Sequence, residues 1–167
     1  MRQALVILRG APASGKTTLG ERLRSKDLKI VWLKIDNLKP FFSEDWGDSL
    51  DEVNKLALGM IDQLLTDGFS VVFDGIFKNP QHALEAKNRA DSKNIPCVIY
   101  QLECSLETLQ KREDERSVTF QRDHFGKDTI ERLHNKVMEN SIQGAIKLDT
   151  ENQSIDECLS ILKKNFI

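Results

Sequence analysis

The 167-residue chain is sparing with several residue types: it has 3 cysteines, 4 prolines and 1 tyrosine, and aromatics make up 7% of it. Cys97, Cys104 and Cys158 are odd in number and form no C-x-x-C pair, which argues against a disulfide framework and against a zinc site. His82, His124 and His134 are spaced so that no two share a helical turn, so a histidine metal site has no support. The longest apolar run near the start, Ala4 to Leu8, is far short of the ~20 residues of a membrane span or the ~7 to 15 of a signal-peptide core. A soluble, cytoplasmic protein with no membrane association is expected. With 24 basic against 26 acidic residues, net charge −2, the chain as a whole does not attract a long polyanion. There is no internal repeat, low-complexity segment or Gly/Ser-rich linker, so residues 1–167 are expected to form a single domain.

What is present is a core-forming pattern. Apolar residues are 40% and charged residues 30% of the chain, too hydrophobic for a disordered segment. β-Branched, apolar runs recur at Ala4 to Leu8, Ile30 to Ile35, Ser70 to Phe73, Cys97 to Leu102 and Ala145 to Leu148, with helical patterns between them. Leu50, Val53, Leu56, Ala57, Met60, Ile61, Leu64 and Leu65 follow the 3.6 period, opened by the capping box Ser49-x-x-Glu52 and stopped by Gly68. Asn79-Pro80 predicts an N-cap and first helical residue for a helix through Leu84 and Ala90 that ends near Asn94. Ser154-x-x-Glu157 opens a last helix with Ile155, Leu159 and Leu162 inward. Strands joined by crossover helices pair in parallel, so the fold class is α/β, a three-layer α/β/α sandwich on a five-stranded parallel sheet. Ser43 to Ser49 and Lys111 to Lys127 have the weakest core pattern and are expected as mobile elements over a site.

Directly after the first run comes Gly10-Ala11-Pro12-Ala13-Ser14-Gly15-Lys16-Thr17, a full match to G-x-x-x-x-G-K-[ST] that chance yields in about 0.5% of chains of this composition. Glycines let such a loop wrap so that successive N–H groups face one phosphate, and Lys16 and the helix N-terminus add positive charge. Thr17 supplies a hydroxyl where Mg²⁺ bridges the β- and γ-phosphates, and Thr18 continues the phosphate-binding turn. The strand before the loop and Leu19 and Leu23 on one helix face after it meet the required context.

Three further groups are candidates at the carboxyl ends of the strands, where ligands bind in this topology. Asp36 ends the second run and is a candidate general base for an acceptor hydroxyl, with a cap for the turn Asn37 to Pro40 as the other reading. Asp74, after Val71-Val72-Phe73 and before Gly75, has the place of a Walker B metal carboxylate, or else of an Asp-Gly turn. Arg112 and Arg116, four apart on one helix face with Arg122 beyond, either neutralise charge on a transferred phosphoryl or belong to a solvated face with Glu113, Asp114 and Glu115.

These residues resemble the small P-loop kinases that include chloramphenicol phosphotransferase, the kinase module of polynucleotide kinases and the zeta toxins. Ile35-Asp36-Asn37-Leu38 is similar to the segment where that group keeps its general base, Gly68 to Phe77 with Asn79-Pro80 to its third strand and following helix, and Leu102 to Ser105 with Arg112 and Arg116 to its fourth strand and lid helix. The resemblance implies a lid at approximately residues 105–127 and, at Leu148-Asp149-Thr150, the loop that contacts adenine, so Arg112, Asp149 and Thr150 join the nucleotide-binding candidates. Lys39 stands where many relatives carry arginine, a departure that keeps the charge and loses the bidentate fork.

The expected function is therefore an ATP- and Mg²⁺-dependent kinase acting on a hydroxyl of a small molecule. Lys16, Asp36, Arg112 and Arg116 would be catalytic, Gly10 to Thr18 would bind phosphates, and Thr17 and Asp74 would surround the metal. A polynucleotide 5′-hydroxyl kinase comes second, because the interleaved charges and few aromatics do not predict a basic groove with stacking platforms. A nucleotide-binding switch without transfer activity is the alternative from another class, and it has no need of Asp36 on the acceptor side.

Overall fold

Leu5–Arg9 is buried at every residue, the pattern of a strand covered on both faces, and it forms β1 at the centre of the sheet. The computed structural model describes residues 2–42, 51–120 and 125–167, the side chains of 117–120 excepted. Residues 43–50, with the expected cap Ser49 and the expected helix residue Leu50, lie outside the described residues, as do residues 121–124 of the expected lid, Arg122 among them.

Along the chain follow α1 (Lys16–Leu23), β2 (Ile30–Lys34), α2 (Asp51–Thr66), β3 (Ser70–Gly75), α3 (Gln81–Ser92), β4 (Cys97–Glu103), α4 (Leu106–Phe120), α5 (Lys127–Glu139), β5 (Ile146–Asp149) and α6 (Ile155–Lys163). The strands form one sheet in the order β2-β3-β1-β4-β5, and every neighbouring pair is parallel. The five expected runs are thus the five strands of a three-layer α/β/α fold. Because β1 lies between β3 and β4, the chain crosses from one side of the sheet to the other after β3, and the carboxyl end of β1 opens at the point where the order reverses.

The two-residue period of the strands divides the core. Leu5 and Ile7 of β1 and Val71 and Phe73 of β3 pack with Val53, Ala57, Ile61, Ala83, Ala86 and Ala90 of α2 and α3. Val6, Leu8 and Val72 face the other way, to Leu19 and Leu23 of α1 and Leu159 and Leu162 of α6. A third, smaller cluster joins Ala11 and Ala13 of the glycine-lysine loop to Leu109 of α4 and Ile130 of α5.

Some local expectations shift by a residue or a face. Helix α2 buries Val53, Asn54, Ala57, Leu58, Ile61 and Leu65, whereas Leu56 and Met60 are each 38% exposed. Its apolar stripe is wider than the contact area, so packing on β3 and α3 selects which edge is covered. Gly68, at φ 80, ends that helix as expected. Asn79 Oδ1 accepts from Gln81 N at 3.0 Å, and the helix starts one residue later than the proline suggested. Both arms of the Ser154–Glu157 capping box form, but Ile155 at the first helical position is 42% exposed and does not enter the core.

Candidate functional site

The segment Gly10 to Thr17 runs from the end of β1 into the first turn of α1. Ala13 and Gly15 both take left-handed backbone, at φ 63 and 96. At Gly15 this conformation is free of Cβ strain, whereas Ala13 holds it within the cluster with Leu109 and Ile130. Lys16 is buried, and its ammonium donates to Ala11 O at 2.7 Å and Ser14 Oγ at 3.3 Å. Burial pulls the Lys16 pKa down to about 8, a fall opposed by Asp74 and Asp36 and assisted by Arg116 and Lys34. The cation is therefore held inside the loop by oxygens that a phosphate group can replace.

Parallel register brings the metal candidates to this loop. Asp74 of β3 stands opposite Leu8 of β1 and Lys34 of β2. The Asp74 carboxylate is buried and its Oδ2 accepts from Thr17 Oγ1 and from Trp32 Nε1, both at 3.3 Å. Burial pushes this carboxyl above its ordinary value, against the charges of Lys16 and Lys34 and the Trp32 hydrogen bond. Thr17 can donate its hydrogen to Asp74 and still offer oxygen lone pairs to an ion, so the pair fits a magnesium ion held by one carboxylate, one hydroxyl and substrate phosphates. Among the described residues no group of three or more His, Cys, Asp or Glu side chains could hold an ion. A magnesium site that relies on phosphates needs no such cage.

Asp36 lies on a 3₁₀ turn, Ile35–Asn37, immediately after β2, and its side chain caps neither that turn nor the next one at Lys39–Phe41. It pairs with Lys39 instead, Nζ to Oδ1 at 2.6 Å, with both side chains about half exposed. Burial of its inner part pushes the Asp36 carboxyl up. The Lys39 hydrogen bond and charge, with Lys34 and Lys16, outweigh that and hold it below the ordinary carboxylate value. An ionised carboxylate within electrostatic reach of Lys16 and open to solvent is thus present at the end of β2.

The two arginines of α4 have different neighbours although they stand one turn apart. Arg112 Nη2 donates to the Thr150 carbonyl at 2.5 Å and its Nη1 lies 3.8 Å from Cys104 Sγ. Arg116 is 3.7 Å from the buried carboxylate of Glu113 and close enough to Lys16 to lower its pKa. Glu113 is fully buried, whereas Asp114 and Glu115 are exposed, so of the three acids only those two lie on a solvated face. Thr150 N and Oγ1 both bond the Glu103 carbonyl, at 2.9 and 3.2 Å. Asp149 turns its carboxylate into its own loop, accepting from Glu151 N, Asn152 N and Asn152 Nδ2.

Three contributors were not anticipated from sequence. Glu151 accepts from Ser105 N, Ser105 Oγ and Thr108 Oγ1 and so caps the start of α4 from 43 to 46 residues away, a separation at which no local signal exists. Arg9, a charge at the end of an otherwise apolar strand, is fully buried and donates to Phe77 O, Gln101 Oε1 and Asn140 O at 3.1, 2.5 and 2.7 Å. Its unusual place in β1 was the available signal. Trp32 reads in sequence only as core.

A parallel sheet in the order 2-3-1-4-5 with a glycine-lysine loop after its central strand defines a P-loop fold of the nucleotide-kinase kind. Residues 5–139 match the model of the AAA_33 family, described as an AAA domain, and the chain belongs to that P-loop family. No curated protein matches the sequence. Among solved structures, it is similar to a gluconokinase from Sinorhizobium meliloti 1021, with TM-score 0.70, 14% identity and coverage of 99% of this chain and 93% of that one. The Mycobacterium tuberculosis APS kinase CysC, solved with AMPPNP and APS, aligns with TM-score 0.72, 19% identity and coverage of 98% and 97%. A chain of the Pnkp1/Rnl/Hen1 RNA repair complex aligns over 83% of this chain and 45% of its own length, with TM-score 0.60 and 22% identity. The expected likeness to small P-loop kinases is therefore found, and it is one of fold.

Proposed function

We propose that the protein is an ATP- and Mg²⁺-dependent phosphotransferase that moves the γ-phosphoryl group of ATP to a hydroxyl of a small molecule. The observation that carries this reading is the position of Asp36: an ionised, half-exposed carboxylate on the turn after β2, within electrostatic reach of Lys16 and Asp74. A switch has no use for a base there.

In the proposed reaction the acceptor hydroxyl oxygen bonds to the γ-phosphorus, the bond from that phosphorus to the β–γ bridging oxygen breaks, and ADP leaves with the electron pair. Asp36 takes the acceptor proton and releases it to solvent. Lys16 and the loop N–H groups orient the phosphates, and Arg116 faces the charge that spreads over the transferred group. Thr17 and Asp74 would hold Mg²⁺, which when bound supplies charge neutralisation on the β- and γ-phosphates. Arg112, Thr150 and Asp149 form the edge where the nucleoside would rest, and residues 105–127 act as the lid. Three free cysteines fit a reducing, cytoplasmic compartment.

The test is γ-labelled ATP offered with a panel of hydroxyl compounds and with 5′-hydroxyl oligonucleotides. Label transfer that depends on a small acceptor is the expected result. Transfer to oligonucleotides alone would make it a polynucleotide kinase, and slow hydrolysis indifferent to any acceptor would make it a switch.

A further inference from the structure

Trp32 pairs in register with Val72, so the side chain two residues further along β3 on the same face is Asp74. An indole leaning along the strand spans that diagonal, and its Nε1 reaches Asp74 Oδ2 at 3.3 Å. Thr17 Oγ1 donates to the same oxygen at 3.3 Å. Among the hydrogen bonds of the described residues Oδ1 receives none, and this buried carboxylate has one oxygen engaged twice and the other left over. The third wall of the arrangement is Gly20 of α1. A Cβ there would stand 2.4 Å from Trp32 Nε1 and 2.5 Å from Cδ1, so only glycine at this helix position lets the indole lie where its N–H meets the carboxylate.

Packing alone does not account for this. A phenylalanine would fill the same slot between α1 and the sheet, and an edge strand has no need of an indole donor aimed at a carboxylate. We propose that Trp32 is a positioning residue for the metal carboxylate: with Thr17 it holds Asp74 by Oδ2 and reserves Oδ1 for the ion that accompanies the nucleotide. The inference rests on the reading of Asp74 as a magnesium ligand. Partners that orient a metal ligand commonly govern affinity for the ion by 10- to 100-fold, and a single long hydrogen bond belongs at the lower end of that span.

Mn²⁺ is a suitable probe, since its free concentration is read directly by electron paramagnetic resonance in the presence of saturating ADP. Wild type, W32F and D74N are compared, with mant-ADP binding in EDTA as the measure of the site without metal. The expected result is Mn²⁺ affinity about 10-fold weaker in W32F and weaker still in D74N, with mant-ADP affinity in EDTA within twofold for all three. Equal Mn²⁺ affinity in W32F and wild type, with D74N impaired, overturns the role of Trp32 and leaves the metal reading standing. Equal affinity in wild type and D74N overturns the metal reading and this inference with it. Should W32F not fold, W46F leaves Trp32 as the sole tryptophan. Its emission is expected to change when Mg²⁺ is added to the ADP complex and to stay constant in W46F/D74N, and constant emission in both overturns the proposal.

Discussion

Lys39 Nζ lies 2.6 Å from Asp36 Oδ1, so the candidate base and the cation three residues on form one ion pair at the mouth of the site. The pair sets the protonation of the base. With its pKa held below the ordinary carboxylate value, Asp36 is ionised at neutral pH, and on the acid side kcat/KM should fall as pH drops through that lowered value. Lys39→Met removes the main lowering influence and leaves the burial, so the acid limb of the pH profile should move upward. Asp36→Asn should lower acceptor phosphorylation by about 10² to 10⁴-fold with ATP affinity nearly intact. Activity retained within a few-fold would remove Asp36 from the mechanism.

Lys16 carries a second pH dependence of opposite sign. In the free protein its pKa stands at about 8, so it loses charge as pH rises through that point. Bound phosphates favour the cation and raise that pKa in the complex, so binding above pH 8 takes up a proton. The nucleotide Kd should be flat with respect to this group below about 8 and climb by up to ~10-fold per pH unit above it. Calorimetry in two buffers of different ionisation enthalpy at pH 9 reads the proton uptake directly. A Kd constant from pH 7 to 9.5 with no uptake would contradict the placement of Lys16. Lys16→Ala should abolish most of the thermal stabilisation by Mg-ATP.

Arg112 and Arg116 stand four apart on α4 but have separate partners, Thr150 for Arg112 and Glu113 for Arg116, which also lies within electrostatic reach of Lys16. Arg116→Ala should lower kcat by about 10²-fold or more with a smaller effect on ATP binding. Arg112→Ala should act mainly on nucleotide affinity, through the loop after β5. Because the two share no partner among the described residues, the double mutant should show close to the product of the single effects. A double mutant no worse than Arg116→Ala would mean that both serve the same phosphoryl oxygens.

Arg9 donates to three oxygens from three different segments, and truncation would leave each of them short of a partner, two in a buried setting and the Asn140 carbonyl in a partly buried one. Arg9→Met should destabilise the protein by about 3 kcal/mol, measured by urea unfolding, because each unsatisfied buried group costs roughly 1 kcal/mol or more. Arg9→Lys should recover only part, since an ammonium lacks the planar fork. A loss below about 1 kcal/mol would show that water replaces the guanidinium.

Read from residue order, this chain already specified its strands, its phosphate loop and the capping box of α6, because each depends on neighbours within a few positions: uninterrupted apolar runs for a doubly covered sheet, glycine at a left-handed turn, Ser154 three residues before Glu157. Asp36 and Asp74 were legible as strand-end carboxylates for the same reason. Register and packing decided the rest. Which edge of the α2 stripe is buried, whether Arg112 or Arg116 approaches Lys16, the cap that Glu151 gives α4, and the diagonal from Trp32 to Asp74 all join positions far apart in the chain. Such contacts follow from the order β2-β3-β1-β4-β5 and the faces it sets opposite one another, and no local pattern encodes them.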